Sequence, residues 1–118
     1  MKTKIEIIKE TVEYYSADVS RRSISYSGKC MYNGPEGKQC AFARCAEAID
    51  EEYEEWNANE VLENKGIETL KPEYRHIIDV YFWNELQYLH DNCSNWDENG
   101  LTEDGKVFVK GLIHKYKN

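Results

Sequence analysis

Residues 28–45, which read GKCMYNGPEGKQCAFARC, constrain the fold more than any other part of the chain, and they hold three of its four cysteines. Glycine supplies a positive φ and proline fixes φ at about −65°, so Gly-Pro-Glu-Gly at the centre predicts a turn. A five-residue loop places Cys30 opposite Cys40, whereas a four-residue loop breaks that pairing. We therefore predict a β-hairpin in which residues 29–32 pair with residues 38–41.

Helical periodicity flanks this hairpin on both sides. Thr3 and Glu6 form a capping-box pair, which predicts a first helix that ends near Ala17. The apolar stripe of this helix consists of Ile5, Ile8, Val12 and Tyr15. After the hairpin, apolar residues recur at intervals of three or four from Phe42 to Trp56, which predicts a second helix over that range.

A third and longer helix is predicted over residues 73–92, opened by Pro72 because proline is favoured at the first helical position. Its apolar face is broad, so we expect it to be the central helix of the domain. That face consists of Ile77, Ile78, Tyr81, Phe82, Leu86, Tyr88, Leu89 and Cys93. Trp83, Gln87 and His90 fall on the opposite, polar arc of this helix.

The remaining boundaries complete the fold prediction. Residues 57–71 are less regular, with Gly66 as a stop, and residues 93–100 are predicted to form a loop. Thr102 caps a last helix whose first turn is acidic, as the helix dipole favours. No repeat or interdomain linker is present, so residues 1–118 are expected to be one domain. The predicted class is α+β: a small β-hairpin packed against a cluster of about four helices, with the long third helix central.

Length and composition narrow the class of protein. At 118 residues, 41% of them apolar, the chain is long enough to bury a core without covalent cross-links. No run approaches the roughly 18 apolar residues of a membrane span, and the N-terminal residues lack the apolar centre of a signal peptide. We therefore expect a cytoplasmic protein that does not bind membranes, with its cysteines as thiols or metal ligands rather than disulfides.

The net charge of −7 is distributed unevenly. Residues 47–104 carry 17 acidic residues and three basic ones, whereas the two ends of the chain are mildly basic. Repulsion from phosphates opposes direct nucleic-acid binding by this acidic block, and a protein with a basic surface would be steered towards it. A merely solvated face is the competing interpretation. The residues predicted to contact a basic partner are Glu47, Asp50, Glu51, Glu54, Glu55 and Trp56.

Two elements of the sequence resemble a group of small proteins common in bacteriophage and prophage genomes. The first is Gly-x-Cys-x-Tyr at residues 28–32, followed by the Gly-Pro-acid-Gly turn and by Cys40-Ala41; the second is Leu-Gln-x-x-His-Asp at residues 86–91. Where that group has Ala-Val-Gly, this chain has Ala-Phe-Ala at residues 41–43. The resemblance implies a phage-type origin, hence the cytoplasm of the host cell, and a hairpin packed against the Gln-His-Asp helix. It implies no activity.

A zinc site is one alternative. Cys40, Cys45, His90 and Cys93 are ligand types that zinc accepts, and His90 and Cys93 share a helix face. The spacing Cys40-x4-Cys45 is not a standard zinc spacing, however. Buried cysteines that behave as small apolar residues are the competing interpretation.

A catalytic site is a second alternative, in which a cysteine, His90 and Asp91 form a Cys-His-acid set. Adjacent helical residues point about 100° apart, so Asp91 is not expected to orient the His90 ring. No glycine-rich nucleophile turn is present either. We therefore predict that the protein is not an enzyme.

A pocket for a nucleotide or a similar anion is a third alternative. The arginines and lysines near the hairpin favour an anion, but neither GxGxxG nor GxxxxGK[ST] occurs in the sequence. The residues that would line such a pocket are Tyr32, Arg44, Trp83, Gln87 and His90.

The function favoured by these patterns is that of a non-enzymatic, phage-type accessory protein without a cofactor. It is predicted to bind and neutralise a host factor, such as a nucleic-acid-handling or defence protein, through an acidic face that mimics nucleic acid. Reversing the charges of Glu51, Glu54 and Glu55 is predicted to abolish partner binding and to leave the fold intact. A nucleotide-sequestering protein and a zinc-binding module remain as alternatives, and the oligomeric state stays open.

Overall fold

The computed structural model describes residues 2–117, within which five α-helices and one short antiparallel strand pair are found. The predicted α+β class is confirmed. The helices are α1 (Lys4–Ala17), α2 (Ala41–Arg44), α3 (Ala58–Lys65), α4 (Val80–Asp91) and α5 (Glu103–Tyr116), and the strands are β1 (Trp96–Asp97) and β2 (Gly100–Leu101). Single 3-10 turns lie between them at Val19–Arg21, Pro35–Gly37, Glu51–Tyr53, Ile67–Thr69, Pro72–Tyr74 and Cys93–Asn95.

The centre of the domain is α4, which packs against α2, α3 and α5, while α1 packs against α5 and β2. Trp83 of α4 is fully buried. The rings of Phe42, Tyr74 and Phe82 surround it, with centroids 6.2, 6.0 and 5.1 Å from its own. No helix among residues 2–117 combines the length and apolar character needed to cross a membrane.

Local signals place the ends of several helices as predicted. The hydroxyl of Thr3 accepts the Glu6 amide at 3.1 Å and the Glu6 carboxylate accepts the Thr3 amide at 2.9 Å, so α1 begins at its capping box. The Thr102 hydroxyl caps α5 by accepting the Gly105 amide at 3.1 Å. Gly66 adopts a φ of 88° and ends α3.

The buried face of α1 differs from the predicted stripe. It consists of Ile7, Ile8, Thr11 and Tyr15, whereas Ile5 and Val12 are only half-buried. Because α1 packs against both α5 and the β2 strand, its buried surface is rotated relative to the stripe expected from periodicity alone.

The predicted hairpin turns back on itself, but isolated bridges replace the regular strand pair. Its five-residue loop has the expected length and runs over residues 34–38 instead of 33–37. This shift places Cys40 opposite Tyr32, whose carbonyl accepts the Cys40 amide at 3.1 Å, and Cys30 bridges to Ile24. The predicted pairing of Cys30 with Cys40 was therefore wrong.

The regular strand pair lies elsewhere, in a stretch predicted to be a loop. Trp96 of β1 pairs with Leu101 of β2, and the turn between them is closed by the Asp97 carboxylate, which accepts the Asn99 amide at 2.8 Å. Trp96 is buried, and its indole N–H donates to the Leu89 carbonyl at 2.8 Å. Packing of this tryptophan against the end of α4 thus fixes the strand pair.

The second predicted helix was wrong beyond its first turn, because α2 ends at Arg44. The Cys45 carbonyl accepts the Lys71 amide, and the Glu47 amide donates to the Thr69 carbonyl, both at 2.8 Å. These backbone groups are therefore unavailable to a helix. The acidic residues that follow lie on irregular backbone and one 3-10 turn.

The third predicted helix is shorter than expected. Pro72 opens a single 3-10 turn, and α4 begins only at Val80. Asp79 caps α4, since its carboxylate accepts the amides of Tyr81 at 3.1 Å and Phe82 at 3.3 Å.

The two arcs of α4 were only partly assigned correctly. Three residues of the predicted apolar face are buried: Phe82, Leu86 and Leu89. Trp83, Gln87 and His90, predicted to lie on a polar arc, are buried, whereas Tyr81 and Tyr88 of the predicted apolar face are more than half exposed. Both arcs therefore contribute to the interior, and the buried polar side chains find hydrogen-bond partners there.

Candidate functional site

His90 lies at the centre of a buried hydrogen-bond network. Its ring is fully buried, and its Nε2 accepts the backbone N–H of Ser23 at 2.9 Å. The proton of the neutral ring must therefore lie on Nδ1, which donates to Asp91 Oδ1 at 2.7 Å. The prediction that Asp91 does not orient its neighbour's ring was wrong, because α4 ends at this point and lets the two side chains turn towards each other.

Gln87 extends this network to α2. Its Oε1 accepts the Phe42 amide at 3.0 Å, and its Nε2 donates to Asp91 Oδ1 at 2.8 Å. On the other side, the Arg22 guanidinium donates twice to the His90 carbonyl, at 2.7 and 3.0 Å. The segment before the hairpin, α2 and the Gln-His-Asp helix are therefore joined directly.

Cys30 lies beside this network but is not activated for catalysis. Its thiol donates to the Asp91 carbonyl at 3.4 Å. Burial, together with the nearby Asp91 carboxylate, raises the pKa of the Cys30 thiol to about 11. Burial also lowers the pKa of His90. At neutral pH the thiol is protonated and the imidazole is neutral, so the pair lacks the thiolate that a cysteine nucleophile requires.

The predicted zinc ligands do not come together. Among residues 2–117, the one group of three or more metal-ligand side chains is Cys30, His90 and Asp91. Of the predicted set, Cys40 and Cys45 are buried and Cys93 is exposed. Both ring nitrogens of His90 are engaged, and a metal on Nδ1 would place a proton on Nε2 against the Ser23 amide. The geometry therefore disfavours zinc at His90.

Cys40 has a structural role instead. Its Sγ accepts the Ala43 amide at 3.4 Å at the start of α2. Burial raises the pKa of the Cys40 thiol and raises the pKa of the Cys45 thiol to about 11. Both cysteines behave as small buried residues.

A pocket of about 220 Å³ borders the His90 network, and we call it the Trp56 pocket. Both sequence motifs contribute to it, with Cys30 and Tyr32 from the hairpin and Gln87 and Asp91 from α4. The other residues that line it are Glu54, Glu55, Trp56, Asn57, Ala58, Asn84 and Tyr88. The pocket is thus lined by three aromatic side chains, three carboxylates and no lysine or arginine.

The residues predicted to bind an anion are divided among three places. Tyr32 and Gln87 line the Trp56 pocket, but Trp83 and His90 are fully buried in the core. The guanidinium carbon of Arg44 lies 3.8 Å from the centre of the Tyr14 ring, in a different pocket. The structure does not assemble these residues into one site, and the carboxylates of the Trp56 pocket oppose an anionic ligand.

The predicted partner-binding residues lie on residues 47–56, which we call the acidic segment. Glu47, Asp50, Glu51 and Glu55 are exposed, while Glu54 and Trp56 are half-buried. Two of the exposed carboxylates form ion pairs, Glu55 with Lys29 and Glu47 with Arg75 at 3.6 Å. Within residues 2–117, the Trp56 pocket borders the segment, as do two other pockets of about 260 and 270 Å³.

Glu54 differs from its acidic neighbours because it holds the hairpin in place. Its two carboxylate oxygens accept the backbone amides of Tyr32 at 2.7 Å and Asn33 at 3.1 Å. The Tyr32 hydroxyl in turn donates to the Trp56 carbonyl. Reversing the charge of Glu54 would therefore disturb the fold, contrary to the prediction that the triple charge reversal leaves it intact.

Of the α4 residues that line the Trp56 pocket, sequence patterns identified only Gln87 as a pocket residue. Asn84 and Tyr88 were not singled out as site residues, and Asp91 was considered only as part of a catalytic set. The available signal was helical spacing, since Gln87 and Tyr88 lie three or four positions from both Asn84 and Asp91, so that all four share one face.

No protein-family model matches the chain, and comparisons with curated proteins and with solved structures also give no match.

Proposed function

We propose that this protein is a non-enzymatic binding protein whose acidic segment contacts a basic surface of a partner protein. The observation that carries the proposal is the exposure of Glu47, Asp50, Glu51 and Glu55 on one continuous stretch of chain. With both ion pairs counted, the stretch still presents an excess of negative charge. The electrostatic field of these carboxylates raises the rate at which a basic protein encounters the segment, and it repels acidic proteins.

The acidic segment is anchored at both ends, which favours binding. At one end the Glu47 amide is paired with Thr69, and at the other Glu54 holds the hairpin. Within the segment, Tyr53 and Trp56 pack edge to face, with ring centroids 4.6 Å apart. A segment that is already ordered loses less conformational entropy on binding than a mobile one. The pockets that border the segment are concavities into which side chains of a partner protein can pack.

The proposal extends to inhibition of a nucleic-acid-handling host protein. The groove of such a protein is lined by lysine and arginine, and it complements exposed carboxylates as it complements phosphates. The resemblance to phage proteins supports a host factor as the partner. An acidic segment that occupied the groove would displace nucleic acid by competition.

The test is capture of the partner from a bacterial host lysate with the tagged protein, followed by mass spectrometry. The variant Asp50→Lys/Glu51→Lys reverses two carboxylates of the acidic segment and spares Glu54. The control variant Glu13→Lys/Glu98→Lys makes the same change in net charge at exposed positions outside the segment. We expect a basic protein that is captured by the wild type and the control and lost with the segment variant. Equal capture by all three would refute the proposal.

A further inference from the structure

We propose that the Trp56 pocket binds the guanidinium group of an arginine side chain of the partner protein. The inference rests on the proposed function, because it names the chemistry by which the acidic segment recognises its partner. The pocket lies at the end of that segment and shares Glu54, Glu55 and Trp56 with it.

The size of the pocket favours one side chain over a larger ligand. Pockets for drug-sized ligands and cofactors occupy roughly 300–1,000 Å³. At about 220 Å³, the Trp56 pocket is too small for a nucleotide and suits a single functional group with a short stem.

The charges that line the pocket favour a cation. Within the described residues, both hydrogen bonds to the Asp91 carboxylate, from His90 and Gln87, end on Oδ1. Its Oδ2 is left as an acceptor for a ligand. Glu55 binds Lys29 through Oε1 alone, and Asn84 adds a half-buried carboxamide. Because no lysine or arginine lines the pocket, the cation has to come from the ligand.

The aromatic side chains favour arginine over lysine. Tyr32, Trp56 and Tyr88 line the pocket, and a planar guanidinium stacks on such rings while its N–H groups remain in their plane. The Asp91 carboxylate and the Asn84 carboxamide can accept several of these N–H groups at once. A lysine ammonium offers three donors and no planar face, so it matches the site less well.

The rings are also held in position before binding. The Tyr32 hydroxyl donates to the Trp56 carbonyl, and the Tyr88 hydroxyl accepts the Asn92 side-chain amide at 3.0 Å. The Tyr88 ring packs on Phe108, with centroids 5.3 Å apart. A pre-formed pocket keeps the entropic cost of binding low.

The experiment follows the indole N–H of Trp56 and the side-chain amide of Asn84 by two-dimensional NMR. The probes are capped tripeptides with arginine, lysine or citrulline between two glycines. We expect saturable shifts with the arginine peptide, with a dissociation constant on the order of 1 mM, weaker shifts with lysine and none with citrulline, which has the same shape without the charge. Equal shifts with citrulline and arginine would overturn the proposal.

Two variants test the pocket by different means. Asp91→Asn keeps an oxygen to accept from His90 and Gln87 and removes the charge, so affinity for the arginine peptide should fall about tenfold or more. Asn84→Lys places a like charge in the pocket without changing the His90 network and should abolish the shift of the Trp56 indole N–H, which is the reporter that remains in this variant. Glu51→Gln, which removes a charge outside the pocket, is the matched control. Unchanged affinity in both pocket variants would show that the pocket is not the site.

Free arginine and spermidine test whether the pocket takes a small free cation instead of a side chain of a protein. Binding of either at least tenfold more tightly than the arginine peptide would identify a free amine as the ligand and overturn the assignment to a partner side chain. Comparable or weaker binding supports a side chain presented by a protein.

Capture of the partner separates this inference from the proposed function. If Asp50→Lys/Glu51→Lys abolishes capture and Asn84→Lys also weakens it, the proposed function and the pocket inference are both supported. If Asn84→Lys leaves capture unchanged, the pocket inference is wrong and the proposed function survives. If Asp50→Lys/Glu51→Lys leaves capture unchanged while Asn84→Lys weakens it, the proposed function fails at the acidic segment and the pocket inference stands.

Discussion

Replacing His90 tests the network that joins α4 to the hairpin. His90→Leu removes both polar ring atoms and keeps a buried side chain of similar size. The Ser23 amide is fully buried and would lose its acceptor, at a cost of about 1–3 kcal/mol. Asp91 would lose one donor but keep Gln87 and some contact with solvent, at a cost of about 1 kcal/mol. We expect the free energy of unfolding to fall by about 2–4 kcal/mol.

The assay is urea unfolding followed by tryptophan fluorescence, since Trp83 and Trp96 are both buried. The control is His114→Leu, at an exposed position on α5, where we expect a change within about ±0.5 kcal/mol. In addition, the nitrogen chemical shifts of wild-type His90 should report a neutral ring protonated at Nδ1. A loss below about 0.5 kcal/mol in His90→Leu, or a proton on Nε2, would refute the assigned network.

Acidification should weaken the same network. Burial lowers the pKa of His90 below its ordinary value of 6.5, an effect that nearby Arg22 reinforces and Asp91 opposes. The unfolded chain therefore binds this proton more readily than the folded chain. The stability that this histidine contributes is complete above the unfolded pKa and is lost as the pH falls towards the folded pKa. We expect the stability difference between wild type and His90→Leu to shrink between pH 7.5 and pH 5; a constant difference would contradict this.

Two further outcomes follow from the contacts of the hairpin and α2. Glu54→Ala should lower the free energy of unfolding by about 1–2 kcal/mol because two backbone amides lose their acceptor. The control Glu51→Ala should leave the free energy of unfolding nearly unchanged. Equal effects of the two substitutions in urea unfolding would contradict the conclusion that Glu54 holds the hairpin in place. In thiol labelling of the native protein, exposed Cys93 should react fast, while buried Cys40 and Cys45 should react only as the chain unfolds. Labelling of all four thiols at one rate would be inconsistent with this burial.

The features predicted correctly depend on residues close together in the sequence. The capping box at Thr3, the cap at Thr102 and the stop at Gly66 each need only a few neighbouring residues, and all three lie where they were predicted. The fold class follows from the same kind of signal. The loop of the hairpin was predicted with the right length, but its shift by one residue changed every cross-strand pair, because register depends on contacts with the rest of the fold.

The candidate site was only partly predictable for the same reason. The sequence identified the acidic segment and both motifs that meet at the Trp56 pocket. It did not show that Tyr88 and Asp91 face the pocket, because the burial of α4 depends on how α2 and α3 cover it. Tyr32 and Gln87, which were predicted to line one pocket, both line the Trp56 pocket, whereas Trp83, which was grouped with them, is a core residue.

The sequence by itself determined the helix caps, the turn and the concentration of negative charge, since these depend on local backbone chemistry and on composition. Only the tertiary structure decided where α2 ends, because the carbonyl of Cys45 pairs with a residue 26 positions away, Lys71. The tertiary structure also decided the role of His90, for which the sequence alone suggested a metal ligand or a catalytic base. In the folded chain this ring has two fixed hydrogen-bond partners, because a buried polar group must be satisfied by whatever the fold brings next to it.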